Sequence, residues 1–368
     1  MNIVCSKVNL LNGVNIVAKA VPNKTTMSIL ECILIEADGA DIRLTANDME
    51  MGIETRIDGQ ILKEGKIALD AKLLSEIVRK LPDNDVYIEV SDNFRTVIKC
   101  EKAIFTIIGK AGDDFSGLPD IERLDSILVS QFTLKEMIRQ TIFSIADNDS
   151  NKLMTGELFE INGDMLRVCS LDGHRISIRK VILKNNYQNR KVVVPGKTLN
   201  ELSKILPGDT DSDVTIFFTG KHVVFEFDET MVISRLIEGE YFRIDQMLSS
   251  DFETKITISK RQLYNCIDRA TLLIRENDKK PLIINIAEDK MELKISSTLG
   301  SMNDEIEIEK QGKDLMIGFN PKFLIDALRV IDDEVIDIYM VNPKAPCFIR
   351  DNEDKYVYLI LPVNFSTV

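Results

Sequence analysis

Three stretches of this chain are variants of one another, and that repetition limits its fold more than any other feature. Lys66 to Leu81 reads KIALDAKLLSEIVRKL, Lys191 to Leu206 reads KVVVPGKTLNELSKIL, and Leu315 to Ile331 reads LMIGFNPKFLIDALRVI. The shared lysines Lys72, Lys197 and Lys322 stand 125 residues apart. Behind each lysine the residue types recur in order: Leu74, Leu199 and Leu324; the acids Glu76, Glu201 and Asp326; the bases Arg79, Lys204 and Arg329; then Leu81, Leu206 and Ile331. Apolar positions at i, i+3 and i+7 make each copy an amphipathic helix lying on a core. Each helix follows an apolar strand and opens on Asp70, Pro195-Gly196 or Asn320-Pro321, residues suited to caps and first turns. A period of this length in 368 residues divides the chain into repeats 1–125, 126–250 and 251–368, each large enough to close a core.

The rest of each repeat follows one plan. Helical periodicity covers Lys7 to Ala20, Leu134 to Ala146 and Lys260 to Ile274. Alternating apolar stretches predict strands. In the first repeat these are Ile29 to Ile35, Ile42 to Ala46, Ile53 to Ile57, Val86 to Val90, Thr96 to Lys99 and Ile104 to Ile108. In the second they are Thr155 to Glu160, Leu166 to Cys169, Val214 to Phe218, Val223 to Phe227 and Met231 to Leu236. The third gives Leu282 to Ile286, Glu292 to Ser296, Glu305 to Ile308, Val335 to Met340, Cys347 to Ile349 and Tyr356 to Leu361. Gly109 to Ser126 is loop-rich and reads as a link between repeats. The fold class is therefore α+β, threefold repeated, with two helices packed on antiparallel sheet in each repeat.

Charge is unevenly distributed. The chain carries 46 Lys and Arg against 59 Asp and Glu, a formal charge of -13, which argues against a surface that attracts phosphate everywhere. The six helical stretches 6–20, 70–81, 133–146, 195–206, 259–275 and 321–331, however, hold 15 bases against 6 acids, leaving 31 against 53 for the remainder. Singly, Lys72, Glu76 and Arg79 and their copies read as i,i+3 and i,i+4 pairs on a solvated face. The same sign in all six helices of an acidic chain points to a shared polyanion. Six cysteines without a close pair fit reduced thiols, and the absence of a signal-peptide pattern or long apolar run places the chain in the cytoplasm, away from membrane.

Two motifs invite a chemical reading. Gly196-Lys197-Thr198 after a strand imitates the end of a phosphate-binding loop, which would make a nucleotide enzyme. The motif lacks its first glycine, because Lys191 holds that place, and the sister copies read Asp70-Ala71-Lys72 and Asn320-Pro321-Lys322. The two histidines, His174 and His222, have neither metal-ligand nor triad spacing. No catalytic constellation or cofactor site is expected. Leu171-Asp172-Gly173-His174-Arg175-Ile176 reads locally as a tight hairpin turn, and Leu361-Pro362-Val363 carries apolar residues toward the chain end.

With the triple repeat, DGHR in the middle copy and the terminal LPV together, the whole chain resembles the bacterial sliding clamps, the beta subunits of DNA polymerase III. The resemblance implies a non-catalytic ring made by a head-to-tail homodimer around duplex DNA, helices lining the hole. It also implies a pocket between the second and third repeats that receives short peptide motifs of polymerases, the clamp loader and repair proteins. Matching positions give that pocket Met154, Leu171, Gly173, His174, Arg175, Ile176, Phe242, Met247, Asn320, Phe323, Pro346, Ile360, Leu361, Pro362 and Val363. His174 and Arg175 would hold a peptide's polar groups. Lys24, Lys72, Arg79, Lys197, Lys204, Lys322 and Arg329 would face DNA, and Phe105 and Ile107 would meet Leu272 and Leu273 across the subunit contact. A nucleotide enzyme and a scaffold without DNA are the rival classes.

Overall fold

The structure, a computed structural model, describes residues 1–147, 150–249, 251–275 and 280–365. Six α-helices lie among them: α1 (Lys7–Val17), α2 (Ala71–Lys80), α3 (Gln131–Thr141), α4 (Gly196–Ile205), α5 (Lys260–Thr271) and α6 (Pro321–Val330). Side-chain caps fix several of the starts. Ser6 accepts from the Asn9 N–H at 3.1 Å, Asp70 from Leu73 at 2.7 Å, Ser130 from Thr133 at 3.1 Å and Asn320 from Lys322 at 3.0 Å. The apolar positions shared by the three copies, Leu74, Leu199, Leu324, Leu81, Leu206 and Ile331, are all buried.

By compactness the chain forms two units that cut across the three repeats: Met1–Leu134 with Lys197–Leu236, and Lys135–Gly196 with Ile237–Val368. The second repeat is shared out because its strands enter two different sheets. In the first unit a nine-stranded antiparallel sheet runs through 110–111, 65–70, 32–38, 41–47, 51–57, 230–235, 222–227, 213–218 and 126–130. Its repeats join where Met51 to Thr55 pair with Ser234 to Thr230. A five-stranded sheet of 60–63, 2–6, 85–90, 95–100 and 103–108 completes the unit.

The second unit is built alike. A seven-stranded sheet runs through 156–171, 175–195, 356–360, 347–350, 335–340, 254–259 and 309–312, its repeats joined where Arg175 to Arg179 pair with Ile360 to Tyr356. A four-stranded sheet of 300–307, 290–297, 282–287 and 315–319 stands beside it. The apolar cluster of this unit buries Leu263, Ile267, Leu282, Ile317, Phe319, Leu324 and Ile349. No helix among the described residues is long and apolar enough to cross a membrane. All six cysteines are buried, and burial pushes the thiols of Cys5, Cys169, Cys266 and Cys347 up to about 12.

Two strand expectations need correction. Ile29 to Glu31 form a turn, closed by Leu30 N–H to Met27 O and Cys32 N–H to Ile29 O, so that strand begins at Cys32. The short strands expected at Thr155 to Glu160 and Leu166 to Cys169 are one strand of 16 residues, paired with a strand of 21 residues, Arg175–Pro195, that was not expected before Lys191. The outer part of that ribbon, KNNYQNRK, is exposed or half-exposed on both faces and so carries no alternation. Gly163, at φ 63, takes up the register shift between Ile161 and Met165.

Glu157 pairs with Val194 near the start of this ribbon, is fully buried, and neither carboxyl oxygen has a hydrogen-bond partner. The nearby Thr141 hydroxyl is turned to the Met137 carbonyl, 2.7 Å away. Burial holds the Glu157 carboxyl well above the usual carboxylate range. The protonated form is therefore favoured more in the folded chain than in the unfolded chain, which releases that proton above about pH 4.3. Folding then takes up a proton, so stability falls as pH rises from there, by about 1.4 kcal/mol per unit until the folded group itself ionises. Glu157→Gln should raise the melting temperature at pH 7.5 more than at pH 5. Equal effects at both pH values, read by thermal unfolding, would show that Glu157 is charged in the folded protein.

Candidate functional site

The turn at Asp172 to Arg175 is held by its own first residue. One Asp172 oxygen accepts from the backbone N–H groups of His174 (3.0 Å) and Arg175 (3.1 Å), and the other accepts from the Arg175 Nε at 3.0 Å. Gly173 takes φ 83, a left-handed conformation that suits glycine. Arg175 then leaves the turn inward. Its guanidinium donates to Asp326 of α6 at 2.7 Å and to the Phe143 carbonyl at 2.5 Å, and lies 4.6 Å from the Phe323 ring centroid. His174 also stacks on Phe323, centroids 5.8 Å apart and planes 22° off parallel.

Arg175 is buried and bonded to two carboxylates and a carbonyl through three of its five N–H groups, so it frames the site while still lining the pocket. Arginine cannot shed its charge, and burying it requires partners of this kind. The edge of the turn is fixed from the third repeat as well, where the Leu361 N–H donates to the His174 carbonyl at 2.8 Å.

Beside the turn lies an apolar pocket of about 360 Å3. Ten residues expected for the site line it: Met154, Leu171, Gly173, His174, Arg175, Ile176, Phe242, Met247, Pro346 and Leu361. Leu359 lines it too, and Ile360 does not. Successive side chains of a strand point to opposite faces, so Ile360 packs into the core with Cys347 and Tyr358, whereas Leu359 faces Ile176, its direct partner in the ladder. Every residue of Tyr356–Ile360 is apolar and buried, so no alternation in the sequence marks that parity. Asn320, Phe323 and Val363 line a neighbouring cleft of about 780 Å3 that shares His174. Pro362 lines neither, and its neighbour Val363 is tied by its N–H to the Gly318 carbonyl at 2.8 Å. Phe143 and Asp326, which position Arg175, were missed because each lies far from the turn in sequence.

The lysine motif Gly196-Lys197-Thr198 has no phosphate cradle. A Cβ on Gly196 would lie 2.2 Å from Ile145 and 2.9 Å from the Thr155 carbonyl, so close packing accounts for the glycine. Lys197 is ion-paired with Asp48, and the buried Thr198 hydroxyl shares a hydrogen bond with Ser234 at 2.6 Å. The seven bases expected to face DNA are all exposed. Lys204 reaches Glu201 at 2.7 Å and Arg329 the Tyr264 hydroxyl at 3.3 Å. Of the residues expected at a subunit contact, Phe105 is 37% and Leu272 79% exposed, with Ile107 and Leu273 half-buried.

Family models for the DNA polymerase III beta subunit match three successive parts of the chain: the N-terminal domain at residues 1–119, the central domain at 128–242 and the C-terminal domain at 245–364. The beta sliding clamp of Staphylococcus epidermidis is 32% identical over 364 residues, covering 96% of each chain. Among solved structures, a putative DNA polymerase III beta subunit from Eubacterium rectale is 69% identical with a TM-score of 0.96, covering 99% of this chain and 100% of its own. The DNA polymerase sliding clamp of Bacillus subtilis is 32% identical with a TM-score of 0.95 and full coverage of both chains. The turn that opens on an apolar pocket thus belongs to a chain matched along nearly its whole length, and this protein is a member of the DNA polymerase III beta subunit family, the bacterial sliding clamps.

Proposed function

We propose that this chain acts as a DNA sliding clamp, a non-catalytic processivity subunit that encircles duplex DNA as a homodimer and tethers the replicative polymerase, the clamp loader and repair proteins. The observation that carries the tethering role is the pocket beside His174: apolar walls of Ile176, Leu359 and Leu361, and a turn too firmly held to collapse into it. A short peptide with two or three apolar side chains would gain most of its affinity by burying them there. His174, exposed on the rim, and Arg175, which lines the pocket, hold the peptide's polar groups.

The ring follows from two open sheet edges. The strand Ala103–Ile108 ends one sheet, with Ile104 62% and Ile108 73% exposed. The strand Gly300–Glu307 ends another, with Leu273 close to its first residue. Edges of this kind pair with another chain unless blunted, and pairing the first edge of one protomer with the second of its partner closes a head-to-tail ring in two contacts. Helix packing sets the bore. Six helices packed roughly 10 Å apart leave a hole of about 9 Å, too narrow for a duplex, whereas twelve leave about 28 Å. Replacing Ile104 and Ile108 together by Asp should halve the native mass from two chains of 41.7 kDa to one. A wild-type mass of one chain at micromolar concentration would remove the ring.

Bases tied to neighbours, as Lys197 is to Asp48 and Lys204 to Glu201, centre a duplex without gripping it. DNA is therefore held by topology, and the acidic remainder of the surface repels unthreaded DNA. Loaded on nicked circular DNA by a clamp loader, the protein should survive high salt and run off when the circle is cut once. Loss from the uncut circle at the same salt as from linear DNA would mean ordinary electrostatic binding. For the pocket, deleting Leu361 to Val368 should weaken a polymerase-derived peptide more than 10-fold while leaving the dimer mass unchanged. Unaltered peptide affinity in that deletion would refute the assignment.

A further inference from the structure

The first unit contains a second pocket made the same way. Shifting the Asp172 to Ile176 turn back by the 125-residue period gives Asn47-Asp48-Met49-Glu50-Met51. This segment is again a turn leading into the strand that joins two repeats. Met51 pairs with Ser234 as Ile176 pairs with Leu359, so the two junctions coincide under the repeat shift. The floor of the second pocket is Met51, Gly52 and Ile233, and its volume is about 280 Å3. Leu118, from the link between repeats, forms a wall; it lies so close over Gly52 that a Cβ there would come within 2.2 Å of it.

The turn is held differently. Asp48, not Asn47, accepts from the N–H groups of Glu50 (3.0 Å) and Met51 (2.7 Å), while the Asn47 amide reaches across to the Ser116 carbonyl at 2.9 Å and ties the link to the turn. Met49, at φ 74 and 56% exposed, stands where the first pocket has His174. Methionines at floor and rim give an adaptable apolar surface.

Charge identifies the occupant. His222 lines the pocket, and burial first, then the charges of Arg235 and Lys221, depress its pKa. Two exposed bases, Arg235 and Lys221, therefore stand beside His222 against one acid of the lining, Glu50, and Arg235 has no ion-pair partner among the described residues. We infer that the cavity formed by Met49, Met51, Leu118, Ile233 and Arg235 is a second peptide site, taking an extended segment in which a large apolar side chain is followed by a carboxylate. The apolar side chain fills the floor. The carboxylate lies against Arg235, a charge-assisted contact that the first pocket, with Ile360 at the matching position, does not offer.

Methionine methyl groups distinguish the two sites, since Met49 and Met51 line the second and Met154 and Met247 the first. The intact protein, labelled with 13C at its methionine methyls, is titrated with the peptide acetyl-Leu-Phe-Asp-Asp-amide and with its counterpart carrying Lys in place of both Asp. The acidic peptide should shift the Met49 and Met51 resonances and the Lys peptide should not. Arg235→Glu should raise the concentration needed for the Met49 and Met51 shifts at least 10-fold, with the rest of the methyl spectrum superimposable on wild type as the check on folding. Met49 and Met51 unmoved at millimolar acidic peptide, or moved equally by both peptides, would overturn the second site. The Met154 and Met247 shifts report the first pocket independently, so failure of one site is not read as failure of the other.

Discussion

An antiparallel sheet ends in a row of unpaired N–H and C=O groups, and the management of those edges orders this molecule. Each junction between repeats uses up two of them: 51–55 closes on 230–234, and 175–179 closes on 356–360. Because the ladder period is two residues, a slip of one would turn Ile176 away from Leu359 and expose the core side chain of Ile360. The register of the junction therefore sets which side chains meet beside the following turn. A pocket at each junction is a geometric by-product of joining repeats by their edges, and its chemistry depends on what the turn carries.

The helices show how a repeated sequence acquires different uses. Glu201 pairs with Lys204 on the same helix, the ordinary fate of an acid three residues from a base. Its counterpart in α6, Asp326, turns away from its own helix and joins Arg175 at 2.7 Å. Of the two exposed bases of α6, Lys322 and Arg329, the second donates instead to the Tyr264 hydroxyl, and Asp326 acts on it only through space. One helix thus presents positive charge outward and, from the next turn, an acid that fixes the pocket wall.

Legibility in the sequence tracks periodicity. All six helices were readable because apolar spacing and caps such as Asp70 and Asn320 agree. The ribbon from Arg175 to Pro195 was not, since its outer part, Lys184 to Lys191, is exposed or half-exposed on both faces and has no alternation to read. Most of the pocket could be placed from the DGHR turn and its resemblance, down to Met154 and Phe242. What could not be placed were contacts set by tertiary approach: the parity of Leu359 against Ile360, and the reach of Asp326 and the Phe143 carbonyl to Arg175. The division into two compact units was equally hidden, because a repeat can be recognised by its helix while its strands are lent to different sheets.

The two turns also differ in what holds them, and this bears on why a buried arginine is kept in one and absent from the other. Desolvating Arg175 and two carboxylates offsets much of their attraction, so the network is weak evidence of added stability. What it supplies is position. Asp172 is on the turn, Asp326 on α6 and Phe143 just past α3, and a planar guanidinium bonded to all three fixes those elements at once. A pocket wall made in this way is preformed, and a ligand entering it loses little affinity to reorganising the protein. The Asn47 turn is tied to the main chain of the link through one neutral amide and to α4 through the Asp48–Lys197 ion pair, and it lines its pocket with flexible methionine. A single scaffold repeated along the chain thus gives one pocket walled by a buried guanidinium network and one walled by flexible methionine.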